Sequence, residues 1–461
     1  MIALTHTGGQ TWAVFGLARS GLAAARALVA GGARVRLGDD NAASRVAAEA
    51  AGFRTVPLND AALAGCAGLL LAPGVPLTHP APHDVAAAAA RLGIPVVGDI
   101  ELLLREVAPV VYGVTGTNGK STTTALLAHI LQAAGQRAVL GGNIGVPVLD
   151  LPRLAAGEGS YVLEMSSYQI DLTPGWHARI AVLLNITPDH LDRHGTMENY
   201  AAVKARIFAG QGPGDTAVIG VDDEPCRVIH ARLAAGNSGR HIVPVSIERV
   251  LDEGVSAVGG MLHENGRPVF ALDFPALPGA HNGQNIAAAY AAARAAGLEP
   301  DAIRAAIAGF PGLKHRLQRA GMVDGIPCIN DSKATNAEST ARALASFEAI
   351  YWIAGGKPKE GGIAALRPYF PRIRHASLIG AAAADFAATL GDAVPHAICA
   401  TLDRALDDAL AAARRDGLKD AVVLLSPACA SFDQFRSFEH RGDEFIRLVA
   451  MRAGQAEGAA A

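Results

Sequence analysis

Apolar runs typical of β-strands alternate with alanine-rich helical stretches along almost the whole chain. TWAVFG (11–16) and RVRLGDD (34–40) are of the strand type, and a glycine turn and a helical stretch (20–31) lie between them. The same order of strand, glycine loop and helix returns in VVYGVTGTNGKSTTTALLAHILQAAG (110–135). This alternation is typical of parallel sheets covered by helices, so the pattern predicts an α/β fold.

The pattern starts anew three times, which predicts three domains. The second series ends near AAIAGFPG (305–312), and the third begins at LKHRLQ (313–318) and continues through apolar runs that read as buried strands. The chain has 461 residues, and a prior of about one domain per 150 residues gives the same number. The predicted domains are 1–100, 101–312 and 313–461.

Composition and charge narrow the classes of function. Half of the residues are hydrophobic and 18% are charged, which supports buried cores and argues against a disordered chain. The 40 basic and 43 acidic residues give a net charge of −3, without the basic excess of a nucleic-acid-binding protein. Five scattered cysteines without a CxxC pair indicate neither a zinc site nor a disulfide framework. We therefore expect a soluble cytoplasmic protein that does not bind membranes, since the sequence has no export signal and no apolar run of about 18 residues.

The first glycine loop, from Gly16 to Gly21, follows a strand and opens a helix, and Asp39 and Asp40 end the next strand. This order is similar to a dinucleotide fingerprint, but Ala18 stands where the fingerprint has its second glycine, and its Cβ would crowd a pyrophosphate. The loop still suits a phosphate at a helix N-terminus, with Asp39 or Asp40 placed to accept from a ribose or a base. A tight turn without a ligand is the alternative.

The second glycine loop (113–121) has the features of an ATP site. Its glycines let backbone N–H groups point at phosphate oxygens, Lys120 can reach the β- and γ-phosphates, and the Ser121 hydroxyl can ligate Mg²⁺. The spacing differs from GxxxxGK[ST], since Val114 stands six residues before the lysine and Gly116 lies inside the loop. A strand precedes the loop and a helix follows it, so the sequence predicts ATP binding here.

At TGTNGKST (115–122) the chain resembles the Mur ligases, which are ATP-dependent amide-forming enzymes of peptidoglycan synthesis. Eight further segments resemble this family in the same order, and together they are most similar to the members that add D-glutamate. They are GDIELL (98–103), GGNIG (141–145), EMSSYQI (164–170), NITPDHLDRH (185–194), ENYAAVKARIF (198–208), KHR (314–316), NDSKATN (330–336) and SPACASFDQFRSFEHRGDEF (426–445). The resemblance implies a Rossmann-like first domain for a UDP-sugar, a central ATPase domain, and a Rossmann-like third domain that closes on the nucleotide and the amino acid.

The resemblance also implies a reaction. ATP phosphorylates the carboxylate of UDP-N-acetylmuramoyl-L-alanine to an acyl phosphate, which the amine of D-glutamate attacks, in an enzyme that we expect to be a monomer with two Mg²⁺ ions. Residues similar to the family's ATP contacts are Gly116, Thr117, Asn118, Gly119, Lys120, Ser121, Thr122, Asn282, Asn285, Arg316 and Asp331. Those similar to its metal ligands are Ser121 and Glu164 for one ion, and His190 and Lys204 for the other, with Lys204 converted by CO₂ to a carbamate. Lys120, His190, Lys204 and Arg316 are the expected catalytic residues.

The expected substrate contacts fall into two sets. The set for the UDP-sugar is Ser20, Asp39, Asn143, Ser166 and Gln169. The set for D-glutamate is Lys333, Thr335, Lys359, Ser431 and Phe438, and Lys357 is the alternative to Lys359. The group that accepts the proton of the amine stays open, with His190 as the nearest titrating side chain.

Each of these readings has an ordinary structural alternative. Glu164 ends an apolar strand, where a carboxylate needs a cation in any case. Asp189 and His190 could be a helix cap and a surface histidine, and Lys204 could be an exposed lysine of a helix. Three rival functions are another amino-acid ligase of the same superfamily, a nicotinamide-dependent dehydrogenase that uses the first glycine loop, and a catalytically silent nucleotide-binding module.

Overall fold

The computed structural model describes residues 1–107, 110–236, 238–279, 281–358 and 361–459. The chain forms two compact units. Unit 1 comprises Met1–Phe274 and Ala280–Phe310, and unit 2 comprises Pro275–Gly279 and Pro311–Ala461. The described residues form three mainly parallel sheets with intervening helices, so the predicted α/β class is confirmed.

The first sheet of unit 1 is parallel throughout and has the strand order β2-β1-β3-β4. Its strands are β1 (Thr11–Phe15), β2 (Arg34–Gly38), β3 (Gly68–Leu71) and β4 (Val96–Val97). The helices of this part are α1 (Arg19–Ala30), α2 (Ala42–Ala50), α3 (Asp60–Leu63), α4 (Asp84–Arg91) and α5 (Asp99–Glu106). Gly21 of the first loop packs so closely that a Cβ at this position would collide with the carbonyl oxygen of Gly16.

The second sheet of unit 1 has nine strands in the order β13-β12-β11-β10-β9-β8-β5-β7-β6. It is parallel from β11 to β6 and antiparallel at β12 and β13. Its strands are β5 (Val110–Thr115), β6 (Ala138–Gly142), β7 (Ser160–Glu164), β8 (Ile180–Leu183), β9 (Thr216–Gly220), β10 (His241–Ser246), β11 (Val255–Val258), β12 (Met261–Glu264) and β13 (Arg267–Ala271). Its helices are α6 (Lys120–Ala133), α7 (Ser167–Asp171), α8 (Leu191–His194), α9 (Met197–Ala205), α10 (Glu224–Ala235), α11 (His281–Ala295) and α12 (Pro300–Ala308).

One hydrophobic core extends through both sheets of unit 1. It includes Leu28 of α1, Leu102 of α5 and Leu163 of β7, each at most 1% exposed. This shared core explains why the first two predicted domains form a single compact unit. Their boundary at residue 100 stays a prediction.

The sheet of unit 2 has the order β14-β15-β19-β16-β17-β18, and only β14 is antiparallel to its neighbour. Its strands are β14 (Gln318–Val323), β15 (Ile326–Asn330), β16 (Ala349–Gly355), β17 (Ile373–Ile379), β18 (His396–Ala400) and β19 (Ala421–Leu425). Its helices are α13 (Ala337–Ala345), α14 (Ala383–Leu390), α15 (Leu402–Asp416) and α16 (Phe438–Ala459). Alternate residues of β16 enter two different cores, with Trp352 in one and Ile353 in the other, as expected of a sheet covered on both faces.

Short 3₁₀ helices complete the described secondary structure. They are Thr5–Thr7, Val148–Asp150, Arg206–Phe208, Ala364–Arg372 and Gly391–Ala393. Among the described helices, none combines the length and the apolar composition that crossing a membrane requires.

Candidate active site

Three neighbouring strands of the nine-stranded sheet carry the candidate site. The order β8-β5-β7 is parallel, so the carboxyl ends of these strands lie side by side at one edge of the sheet. The second glycine loop follows β5, Glu164 ends β7, and Asn185 comes shortly after β8. Ligands of open α/β sheets bind at this edge.

The conformation of the second loop requires its glycines. Gly119 has φ +82° and Gly116 has φ +152°, both in the region that side chains rarely adopt. A Cβ on Gly119 would also collide with Oδ1 of Asn285 from α11. The loop therefore closes tightly against α11, and α6 begins directly after it at Lys120.

Asn185 holds the loop in place, although the sequence analysis did not single out this residue within NITPDHLDRH. Its Oδ1 accepts from the backbone N–H of Asn118 at 2.8 Å, and its backbone oxygen accepts from that of Thr117 at 2.8 Å. The ammonium of Lys120 curls over the same loop and donates to the carbonyl oxygens of Gly116, at 3.0 Å, and Thr117, at 2.8 Å. The lysine is thus already aimed at the place where the loop would hold phosphates.

Glu164 offers a buried oxygen to a cation. The residue is 1% exposed, and its Oε1 accepts from Nδ2 of Asn143 at 2.8 Å. Its Oε2 is buried and has no hydrogen-bond partner among the described residues. A buried polar group without a partner costs about 1–3 kcal/mol. Since Mg²⁺ prefers oxygen ligands, this carboxylate fits a magnesium ligand.

Lys204 is buried beside the loop, which excludes the alternative of an exposed lysine. It is 1% exposed, its Nζ donates to the carbonyl oxygen of Gly116 at 2.8 Å, and it lies 4.8 Å from the centroid of the Tyr200 ring. Burial first, and then the charge of Lys120, lower the pKa of Lys204 to about 7. A substantial fraction of neutral amine is therefore present near neutral pH, and the neutral amine is the form that reacts with CO₂.

His190 adopts a left-handed conformation, with φ +53°, at the N-cap of α8. Its side chain is about half exposed, and its Nε2 lies 3.4 Å from Oδ2 of Asp189. Ser121 is buried in the first turn of α6. In the part of the chain that the structure describes, no three His, Cys, Asp or Glu side chains are grouped to hold a metal ion. An unmodified lysine lies outside that set, so the assignment of Lys204 and His190 to a second Mg²⁺ stays a prediction.

Tyr200 links the lysine to the glycine loop, and the sequence analysis missed it. Its hydroxyl lies 3.2 Å from Oγ1 of Thr117, which also accepts from the backbone N–H of Thr187 at 3.0 Å. Tyr200 stands four residues before Lys204 on α9, so the i, i+4 spacing places both on one helix face. That spacing is the signal that could have revealed it.

The residues predicted to face the UDP-sugar form local structure around α7 and the first loop. Ser166 and Gln169 make a capping box, in which the Ser166 Oγ accepts from the Gln169 N–H at 3.2 Å. Asp39 accepts from the backbone N–H groups of Leu17, at 2.5 Å, and Asn41, at 2.7 Å. The side chain of Asp39 therefore already braces the first loop.

A cavity of about 870 Å³ opens beside the first sheet. Its lining includes Phe15 at the end of β1, Asp39 and Asp40 after β2, and His83, whose Nε2 lies 2.9 Å from Oδ2 of Asp40. Ser20 lies in the first turn of α1, which begins without a side-chain cap, and it is not among the residues that line this cavity. The volume is sufficient for a nucleoside with part of its diphosphate.

Asn282 and Asn285 lie in the first turn of α11 and are buried. Nδ2 of Asn285 donates to Oδ1 of Asn282 at 2.8 Å, and Oδ1 of Asn285 accepts from Oγ1 of Thr123 at 3.2 Å. The pair therefore supports α6 directly behind the glycine loop.

In unit 2, the predicted nucleotide contact Asp331 is buried at the end of β15. Its Oδ2 accepts from Oγ of Ser426 at 2.8 Å, and its Oδ1 accepts from the backbone N–H of Leu317 at 3.2 Å. Burial raises the pKa of Asp331 to about 7, although Ser426 and the charge of Arg316 act in the opposite direction. The carboxyl group thus connects Leu317, directly after the KHR segment, to Ser426, directly after β19.

Four of the predicted D-glutamate residues of unit 2 follow the carboxyl ends of the adjacent strands β15 and β19, and they are Lys333, Thr335, Ser431 and Phe438. Lys333 Nζ lies 6.0 Å from the centroid of the Phe438 ring, and Ser431 is 2% exposed. The backbone N–H of Thr335 bonds to the carbonyl oxygen of Lys333 at 2.9 Å. Lys359 lies outside the described residues. These contacts bring two loops together, while the choice between the two lysines stays open.

Comparison with known proteins defines the class. Residues 114–293 match the Mur ligase middle domain. The fold is similar to UDP-N-acetylmuramate-alanine ligase from Thermotoga maritima, with a TM-score of 0.59, 16% identity, and coverage of 96% of this chain and 99% of that one. It is also similar to UDP-N-acetylmuramoyl-L-alanyl-D-glutamate–2,6-diaminopimelate ligase, with a TM-score of 0.56, 18% identity, and coverage of 98% and 94%. The chain thus contains a Mur ligase middle domain, and its fold is of the same kind as the folds of these two ligases.

Sequence relatives narrow the class further. A UDP-N-acetylmuramoylalanine--D-glutamate ligase from Chelativorans sp. (strain BNC1) is 52% identical and covers 97% of each chain. Another of the same name, from Paramagnetospirillum magneticum, is 51% identical over 97% of this chain and 98% of its own. The chain belongs to the family of UDP-N-acetylmuramoylalanine--D-glutamate ligases, as its motifs predicted.

Proposed function

We propose that this protein joins D-glutamate to UDP-N-acetylmuramoyl-L-alanine at the expense of ATP, as a step of peptidoglycan precursor synthesis. The observation that carries the proposal is the identity of about half of all residues, over nearly the whole chain, with relatives named for this reaction. Since ATP and UDP-sugars are cytoplasmic metabolites, the proposal places the enzyme in the cytoplasm. A monomer is the simplest state that the proposal requires.

Amide formation from a free carboxylate in water is uphill, so the carboxylate must first be activated. A carboxylate oxygen of the muramoyl-alanine attacks the γ-phosphorus of ATP, ADP leaves, and an acyl phosphate forms. The unprotonated amine of D-glutamate then attacks the acyl carbon, and the tetrahedral intermediate expels phosphate, which keeps the attacking oxygen. The enzyme contributes position and charge compensation, as is general for phosphoryl transfer.

The second glycine loop is the proposed triphosphate site. The ammonium of Lys120 exchanges the carbonyl oxygens of Gly116 and Thr117 for phosphate oxygens, a short movement on a flexible side chain. Backbone amides from Gly119 to Thr122 provide further donors at the start of α6, while those of Thr117 and Asn118 bond to Asn185. Asn282 and Asn285 line the nucleotide site behind the loop.

The donor set around the loop fits magnesium. Ser121 and Glu164 would hold one ion, and the free Oε2 of Glu164 supports this assignment. His190 and a carbamate on Lys204 would hold the second. When bound, Mg²⁺ would neutralise charge on the transferred phosphoryl group. The ammonium of Lys204 first loses a proton, and the neutral Nζ then attacks the carbon of CO₂ and loses a second proton to solvent, so the charge of the side chain changes from +1 to −1 overall.

The remaining predicted residues are assigned to UDP-N-acetylmuramoyl-L-alanine, to the nucleotide and to D-glutamate. The cavity beside the first sheet would take the uridine, with Asp39 in its lining. Ser20 is assigned to another part of the UDP-sugar, and the residues after β6 and β7 would face the muramoyl-alanine. These are Asn143, Ser166 and Gln169. In unit 2, Arg316 and Asp331 are assigned to the nucleotide, and the D-glutamate pocket comprises Lys333, Thr335, Lys359, Ser431 and Phe438.

The test is phosphate release from ATP by the purified protein with Mg²⁺, UDP-N-acetylmuramoyl-L-alanine and one amino acid at a time. D-Glutamate should support turnover at least about 100-fold faster than L-lysine or diaminopimelate. L-Lysine lacks the second carboxylate and would leave its buried partners unpaired, and diaminopimelate places its second carboxylate on a longer chain beside a second ammonium. Lys120→Ala should abolish turnover. Equal rates with L-lysine or diaminopimelate would reject the proposed specificity.

A further inference from the structure

Arg441 is a fully buried cation in the first turn of α16. It is 0% exposed and belongs to the largest fully buried side chains of the described residues. Its Nε donates to Oγ of Ser332 at 2.9 Å, and its Nη2 donates to the carbonyl oxygens of Ser332, at 2.9 Å, and Cys429, at 3.1 Å. One side chain thus bonds to two separate loops.

The positive charge of Arg441 is not neutralised by an ion pair. No carboxylate of the described residues lies within ion-pair distance of it, and its Nη1 has no hydrogen-bond acceptor among them. Burial lowers the pKa of Arg441 to about 10, although the charges of Cys429 and Asp433 act in the opposite direction. An unpaired buried guanidinium is a costly way to fill a core, so stability alone does not account for it.

The two loops that Arg441 joins carry the proposed D-glutamate residues. Ser332 directly precedes Lys333, and Cys429 lies two residues before Ser431. The Ser332 Oγ that accepts from Arg441 also donates to the carbonyl oxygen of Phe438, at 2.8 Å. Because β15 and β19 are hydrogen-bonded neighbours, the loops that follow them emerge side by side.

Nη1 faces a third loop. A Cβ built on Gly356 would lie 3.2 Å from Nη1, so the glycine turn after β16 passes directly over the guanidinium. The next residue, Lys357, bonds through its backbone N–H to the carbonyl oxygen of Ala430 at 2.9 Å. Arg441 therefore lies beneath the meeting point of three loops of unit 2.

We propose that Arg441 is a positioning residue of the D-glutamate pocket. It fixes the loop of Lys333 relative to the loop of Ser431 and adds, beneath a site for two carboxylates, a positive charge that forms no ion pair with the described residues. This inference rests on the proposed function. It assigns to Arg441 no contact with the reacting atoms, so its effect is on the binding of the amino acid.

The test compares Arg441→Lys with the wild type. Lysine keeps the charge, but a single ammonium cannot reproduce the planar fork that reaches both loops. We expect the KM for D-glutamate to rise about 10- to 100-fold, as for the loss of charge-assisted hydrogen bonds, while the KM values for ATP and the UDP-sugar change less than about twofold. Acyl phosphate formation without D-glutamate, measured as hydroxylamine-dependent phosphate release, should keep its wild-type rate.

Two further variants complete the design. Arg447→Lys changes an exposed arginine of the same helix that pairs with Glu444, and it should leave all three KM values unchanged. Ser332→Ala removes the hydroxyl between Arg441 and Phe438, and it should raise the D-glutamate KM about three- to tenfold. The double variant Arg441→Lys/Ser332→Ala should show less than the product of the single effects, because both break one network.

An unchanged D-glutamate KM in folded Arg441→Lys, or an equal rise of all three KM values, would overturn the inference. If Arg441→Lys does not fold, Ser332→Ala decides, and an unchanged D-glutamate KM in that variant overturns it equally. The wild type and Arg447→Lys are assayed first. If neither uses D-glutamate, the proposed function fails and this inference fails with it, whereas a failure confined to the variants concerns Arg441 alone.

Discussion

Lys204 and Glu164 are both buried at the edge of the nine-stranded sheet, and each carries a group whose charge is poorly compensated there. The amine of Lys204 is partly neutral near pH 7 because burial and Lys120 disfavour its charge. The carboxylate of Glu164 keeps one buried oxygen without a partner. A carbamate on Lys204 and bound Mg²⁺ would remove the buried positive charge and would provide a partner for the free oxygen of Glu164. The proposed binding of Mg²⁺ therefore depends on these two side chains.

Replacing Lys204 tests the carbamate directly. Lys204→Ala should lower kcat by about 100-fold or more, since a metal ligand that stabilises charge in the transition state is lost. Millimolar formate or acetate should restore part of the activity by providing carboxylate oxygens, and it should not restore activity to Lys120→Ala. Full activity of Lys204→Ala without added carboxylate would contradict the assignment.

The pKa of Lys204 predicts a pH-dependent stability in CO₂-free buffer. Between pH 7 and the ordinary pKa of about 10.5, the unfolded lysine binds a proton that the folded one has lost, so the free energy of unfolding rises with pH, by at most about 1.4 kcal/mol per pH unit. Lys204→Met lacks this contribution. We expect Lys204→Met to have its greatest stability advantage near pH 6 and to lose it towards pH 10, as measured by urea unfolding. Parallel pH profiles of the two proteins would refute the buried neutral amine.

Replacing Glu164 should affect the stability and the activity of the protein in different ways. Glu164→Gln keeps the carbonyl oxygen that accepts from Asn143 but removes a buried charge, so the melting temperature should stay equal or rise. The kcat should fall by about 100-fold or more, because the magnesium ligand is lost. The matched control is Glu158→Gln, which changes an exposed partner of Arg137 and should alter neither quantity. A Glu164→Gln enzyme with wild-type kcat would exclude Glu164 from metal binding.

The elements of the site follow from local sequence rules, while its contacts do not. The strand, glycine loop and helix at 110–135 could be predicted, because Gly116 and Gly119 mark a backbone that only glycine adopts easily. Asn185, Tyr200 and Arg441 could not be identified in the same way. Their roles depend on which strands are neighbours and on which loops meet, and an ordinary asparagine, tyrosine or arginine carries no local signal of that.

Alanine substitutions at Gly119 and Gly135, which have nearly the same φ angle, distinguish the effect of backbone strain from an effect on ATP binding. Gly119→Ala forces an alanine into φ +82° and against Asn285, so it should cost about 1–3 kcal/mol and raise the KM for ATP at least about tenfold. Gly135→Ala imposes the same strain, at φ +80°, at the other end of α6 with open space around the added Cβ. It should cost about 1 kcal/mol and leave the KM for ATP unchanged. Equal KM values for ATP in the two variants would contradict the proposed triphosphate site.

At the scale of the whole molecule, the three series of strands and helices correspond to three sheets. The organisation into two compact units could not be predicted, because it depends on a core that α1 and α5 share with the nine-stranded sheet.

The nearly neutral net charge of the protein is consistent with the proposed reaction. The anionic ligands of the proposed reaction are assigned to a few placed cations and metals, and a generally basic surface is unnecessary.

Arg193 connects the two sheets of unit 1. It donates to the carbonyl oxygens of Gly74, at 2.8 Å, and Val75, at 3.0 Å, and lies 4.5 Å from the centroid of the Tyr168 ring. The loop of residues 73–75 follows β3, which is parallel to β1, so it lies at the same sheet edge as the first glycine loop. Arg193→Met should release this loop and raise the KM for the UDP-sugar about tenfold, with the KM for ATP nearly unchanged. Arg227→Met, which changes an exposed partner of Glu224, is the control. A UDP-sugar KM equal to that of the control would show that this connection is dispensable for binding.

The most direct test of the proposed reaction follows one oxygen atom. UDP-N-acetylmuramoyl-L-alanine labelled with ¹⁸O at both oxygens of its carboxylate is incubated with ATP, Mg²⁺, D-glutamate and the enzyme, and the released phosphate is analysed by mass spectrometry. Activation as an acyl phosphate predicts one ¹⁸O atom in each phosphate, together with a product heavier by one glutamyl residue. Unlabelled phosphate, or labelled phosphate with an equal yield of product from L-lysine, would contradict the account.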